Sequence, residues 1–214
     1  MTQTPRTAAV ADLAVVRSIV EGDGRPPLTM AVCYLAGGLL YGLQCLFHVG
    51  QIIGLVRWPG VASLAFVVTI SVTFLVILAW AIVQDRKDGV GNHGPAAART
   101  LKAAFSATGM ANAAVIIIFG VGAARDNDFA IWLYYSAIVF ALQAAAWYVA
   151  WTLKRKAWML ATAIGGWITA VALGVLVRET TWYLAVCTVA LFVLFAGPGW
   201  IMMRDVLRSR RNGA

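Results

Sequence analysis

Of the 214 residues, 61% are hydrophobic and only 12% are charged. Soluble domains average about 45–50% apolar and about 25% charged, so a water-soluble globular fold is excluded. The 17 Lys and Arg against 9 Asp and Glu give a formal charge of +8, but the basic residues sit in tails and short loops beside apolar runs. There they orient a membrane protein, and nucleic acid is not an expected partner. With about 20 apolar residues needed per span, the composition supports about six helices, and the expected fold is all-α, a polytopic bundle of six transmembrane helices.

Residues 1–27 hold Arg6, Asp12, Arg17, Glu21, Asp23 and Arg25, leaving no uninterrupted apolar stretch for a signal peptide. Val10, Leu13, Val16 and Val20 recur at helical spacing, so a short amphipathic helix lying in the membrane interface is expected over residues 8–20. The following glycines and the Pro26-Pro27 pair end it.

Six apolar runs follow, over residues 28–55, 61–83, 101–124, 129–153, 157–177 and 182–203. Each is long enough to cross hydrocarbon with some tilt, and none alternates at period two, which excludes a transmembrane barrel. Asp85, Asp88, Asp126, Asp128 and Asp205 are read as loop or tail residues. The longest loop, residues 84–100, carries the Gly-rich stretch Asp88-Gly-Val-Gly-Asn-His-Gly-Pro95 without a phosphate-loop ending. Pro198 between two glycines is expected to kink or break the sixth run. Residues 204–214 form a basic tail, so the chain divides into a segment 1–27, a membrane domain 28–203 and the tail 204–214.

Counting Lys and Arg on alternate sides gives 14 on the side of the termini and 3, Arg57, Arg125 and Arg178, on the other. Both termini are therefore expected in the cytoplasm, and the bacterial inner membrane is the expected location. Trp58, Trp132, Trp151, Trp158, Trp182 and Trp200 lie near run ends, where indoles settle at headgroup level. Cys33, Cys45 and Cys187 fall inside apolar runs at no metal-binding spacing and read as small buried hydrophobes.

The first run is the least apolar. Tyr34, Tyr41, Gln44, His48 and Gln51 follow one another at helical steps on one face, and with Gln143 of the fourth run they are the candidate ligand-binding residues. Such a face avoids lipid, because an unsatisfied polar group in hydrocarbon is costly. It faces either other helices, as packing contacts worth about 0.6 kcal/mol each, or a polar cavity. His48 is the one span residue that titrates near neutrality. With His93 expected on the opposite side, neither a bis-His haem nor a three-ligand zinc site can form, so no cofactor or metal is expected. No GxSxG occurs and no carboxylate lies mid-span, which makes an enzyme or a carboxylate-driven pump a poor fit.

Gly37-Gly-Leu-Leu-Tyr-Gly-Leu-Gln44 matches Ser136-Ala-Ile-Val-Phe-Ala-Leu-Gln143 in residue class, as a three-plus-three inverted repeat would. In size, six spans and termini inside, the architecture resembles the substrate-binding subunits of energy-coupling-factor transporters and the small acetate-type permeases. The permeases' Asn-Pro-Ala-Pro-Leu-Gly-Leu signature is absent, with only Arg25-Pro-Pro-Leu28 in its place. The expected function is a small-molecule transporter or transporter subunit, with a cavity lined by the first and fourth helices for a small neutral or weakly polar solute. Expected partners are the bilayer and either a second copy or a partner membrane subunit. The alternative is a non-transporting sensor or an assembly subunit of a larger membrane complex.

Overall fold

The structure, a computed structural model, describes residues 27–87 and 96–211. The interfacial helix expected over residues 8–20 lies outside them. The described residues are helical nearly throughout, in α1 (Leu28–Ile52), α2 (Gly60–Lys87), α3 (Ala96–Asp126), α4 (Phe129–Lys154), α5 (Ala157–Val175) and α6 (Thr180–Arg211). All six are long and apolar enough to cross a membrane. The chain is a multi-pass helical membrane protein.

The turns follow from local chemistry. At the end of α1, Gly54 adopts a left-handed φ of 78°. Its N–H donates to the Gln51 carbonyl at 3.2 Å, while Val56 N–H reaches back to Gly50 O at 3.1 Å, so the last carbonyls are satisfied. Asp128 caps α4 by accepting the Ala130 N–H at 2.9 Å. Left-handed Arg155 ends α4, and its guanidinium lies 5.1 Å from the Trp151 ring centroid. Only Arg155 and Lys156 separate α4 from α5, which makes the two an antiparallel hairpin.

Three sequence-based expectations change. Asp85 is not a loop residue: it lies in the last turns of α2 and is buried. Pro27 offers α1 no side-chain cap, and Asp85 supplies one from 57 residues away. Its two carboxylate oxygens accept the N–H groups of Leu28 at 2.9 Å and Thr29 at 2.7 Å, placing negative charge where the helix dipole is positive. The loop expected over residues 84–100 is correspondingly shorter, because α2 continues to Lys87 and α3 starts at Ala96.

Pro198 does not break the sixth run. The residues before it, Leu191–Ala196, form a π-helical stretch, with Gly197 N–H bonded to Phe192 O five residues back. Proline has no N–H to donate and its ring crowds the preceding turn. The widened turn absorbs that conflict, and the helix runs on to Arg211, through most of the segment read as a tail.

Each helix packs on the next in the chain except α2 on α3, and α1 also packs against α6. Neither α2 and α3 nor α1 and α4 pack extensively on one another, so the arrangement is a ring open between α2 and α3. The α1/α6 contact depends on missing side chains: a Cβ at Gly38 would overlap Ala196 N and come within 2.8 Å of Leu191 O, and one at Gly199 would overlap Leu35 N. Two apolar clusters form the core. One, at the end holding the start of α1, centres on Ala31, Tyr34, Trp147, Met159, Ala163 and Met202. The other, toward the opposite end, gathers Phe140, Leu173, Tyr183, Cys187 and Ala190.

Candidate functional site

Tyr34 and Gln143 meet across the space between α1 and α4. The Tyr34 hydroxyl donates to Gln143 Oε1, and the ring is almost fully buried. Phe195 stacks on it at 5.2 Å between centroids, while Phe105 and Trp147 meet it edge-on at 5.7 Å and 5.0 Å. Large side chains from α3, α4 and α6 thus span a gap that backbone packing leaves open. The Trp147 indole nitrogen is sealed within this cluster beside the Tyr34 side chain. The result is an aromatic plug in the half of the bundle that carries most of the basic residues.

Toward the other half, polar side chains stand beside the second apolar cluster. Tyr41 packs edge-on to Phe74 of α2 at 5.4 Å and lies beside Ser71. Tyr135 of α4 is within electrostatic reach of Tyr41, Cys45 and Cys187, and beside Ser136. Tyr183 of α6 donates to Leu133 O at 2.6 Å. Gln44 is half-buried, and its amide oxygen is sealed from solvent without a hydrogen-bond partner. Asn112 of α3 holds a second such oxygen. Burying an unpaired amide oxygen costs on the order of 1–3 kcal/mol, so each is an acceptor available to an incoming donor.

His48 and Gln51 belong to neither group. His48 Nδ1 lies 3.0 Å from Gln51 Oε1, and Gln51 Nε2 donates to Ser63 Oγ at 2.7 Å, which ties the end of α1 to the start of α2. Fourteen residues of helix separate Tyr34 from His48, roughly 21 Å at 1.5 Å per residue. The six candidate residues therefore fall into three places: Tyr34 with Gln143 at the plug, Tyr41 and Gln44 in the polar half, and His48 with Gln51 at the hairpin.

Sequence reasoning missed Trp147, Ser63 and the contact between Cys45 and Cys187, whose sulfurs lie 3.9 Å apart. The cysteines are 142 positions apart, and no local spacing announces them. Among the described residues, no three His, Cys, Asp or Glu side chains converge on a point that could hold a metal. No protein-family model matches the chain, and comparison with curated proteins and with solved structures finds no match.

Proposed function

We propose that the protein is a small-molecule membrane transporter or transporter subunit whose polar cavity lies between α1 and α4. The observation that carries this reading is the buried amide oxygen of Gln44, which has no hydrogen-bond partner, on a helix that does not pack extensively on α4. In the same half Tyr135 of α4 lies within electrostatic reach of Tyr41 of α1 and beside Ser136, and the Tyr34–Gln143 contact would form the floor of the cavity. None of these residues carries a charge, which suits a small neutral solute that donates hydrogen bonds. The plug stands on the side of Arg86, Lys87, Lys154, Arg155 and Lys156. By the excess of basic residues that side is the cytoplasmic one, and a bacterial inner membrane is the setting that matches.

A specific observation also favours the second reading, an assembly subunit. Helix α3 packs extensively only on α4 and buries nothing along its most apolar stretch, and α2 packs extensively only on α1. Stopped-flow swelling of proteoliposomes with urea, glycerol and erythritol separates the two readings. Transport predicts at least one solute entering faster than into protein-free vesicles, and slowed by Gln44→Leu. Rates equal to protein-free vesicles for all three favour the assembly reading.

A further inference from the structure

Cys45 of α1 and Cys187 of α6 place their sulfurs 3.9 Å apart. Cys187 is buried at 5% exposure and Cys45 is half-buried, so Cys45 is the accessible member. Cys45 lies seven residues before the end of α1 and Cys187 seven residues after the start of α6. At 1.5 Å per residue both sit roughly 10 Å in from the same end of the bundle, inside a hydrocarbon layer of about 30 Å. The partners are fixed from both sides: Gly42 of α1 seats the Phe192 ring of α6 one turn away, and the Gly38 approach to Ala196 holds the two helices together.

We propose that Cys45 and Cys187 are a redox-active pair that closes into a disulfide between α1 and α6, giving its electrons to a lipid-soluble quinone. Bonding requires the sulfurs to approach from 3.9 Å to about 2.05 Å. Both S–H bonds break and one S–S bond forms. The two protons and two electrons released pass to the two carbonyl oxygens of the quinone, which becomes the quinol. A charged disulfide reagent does not enter hydrocarbon, whereas a quinone dissolves there at the depth of the half-buried Cys45. The closed bond pins α1 to α6 four residues before the π-helical stretch begins. This inference stands on the α1/α6 contact and holds whether or not a solute crosses the protein.

The test is to reconstitute the reduced full chain in liposomes, add a short-chain ubiquinone without oxygen, and tag the remaining thiols with a mass-shifting maleimide. The parent is expected to lose two of its three free thiols, to become lighter by two hydrogen atoms, and to yield a Cys45–Cys187 linked peptide with one quinol formed per chain. Cys33→Ser retains that reaction and serves as the folded control, and Cys45→Ser abolishes quinol formation. Three thiols persisting in excess quinone would overturn the proposal. So would a bond that includes Cys33, a bond between two copies, or oxidation by water-soluble diamide but not by quinone.

Discussion

Replacing Asp85 tests whether one carboxylate joins the two ends of the α1–α2 hairpin. In the parent it accepts the Leu28 and Thr29 N–H groups at 2.9 Å and 2.7 Å while buried at 9% exposure. A hydrogen bond to a charged group contributes about 1.5–3 kcal/mol, and loss of a cap typically costs about 1 kcal/mol. Two such bonds to adjacent donors of one helix end are not independent, so Asp85→Ala is expected to cost about 2–4 kcal/mol. Asp85→Asn, which keeps one acceptor and loses the charge, is expected to cost about half of that. The internal comparison is Asp128→Ala, which removes an exposed cap holding one N–H and should cost about 1 kcal/mol. Unfolding in mixed micelles of increasing SDS fraction, followed by tryptophan emission, measures all three. Amide exchange at Thr29 locates the effect, because only loss of the Asp85 cap frees that proton. If Asp85→Ala destabilises no more than Asp128→Ala, or leaves Thr29 protected, the capping argument is wrong.

Gly38→Ala and Gly199→Ala each place a methyl group on the backbone of the opposing helix and should each cost about 1–3 kcal/mol by overpacking. Gly109→Ala and Gly174→Ala, with open space around the new Cβ, should be neutral or slightly stabilising in the same unfolding assay. Tyr34→Phe loses the Gln143 bond but keeps the ring contacts and should cost about 1 kcal/mol, whereas Tyr34→Ala should cost about 3–5 kcal/mol. Solute movement in proteoliposomes is expected to be unchanged by an imposed pH gradient and to persist in His48→Gln, since His48 sits in the hairpin network and not beside Gln44. Flux that requires the gradient and is lost in Asp85→Asn would place proton coupling at the one buried carboxylate among the described residues.

Six spans were readable because an apolar run bounded by charges is a strong, local signal. The ends were less so: Gln84 to Lys87 and Ala96 to Thr100 look like loop, yet they extend helices beyond the apolar runs. Asp85 illustrates the limit. Its charge marks it as a loop residue until the bare N-terminus of α1, left uncapped by Pro27, is brought beside it by the fold. At Pro198 the helix is not broken, and sequence gives the local conflict but not its relief over Leu191–Ala196. The polar residues of α1 were legible as one helical face. Its division among the plug, the polar half and the hairpin depends on which helix stands opposite each turn. The matching octapeptides ending at Gln44 and Gln143 gain no separate support, because an up-and-down ring gives α1 and α4 equivalent neighbours with or without a repeat.

The central claim, a ligand-accepting space between α1 and α4, is tested most directly by an experimental density map of the protein in lipid nanodiscs. The account predicts density from a small non-protein molecule within hydrogen-bonding distance of the Gln44 amide oxygen, bounded by Tyr41 and Tyr135 and stopping at the Tyr34–Gln143 contact. A Gln44 amide paired to a neighbouring side chain, with α1 and α4 closed on one another and no room between them, would contradict it.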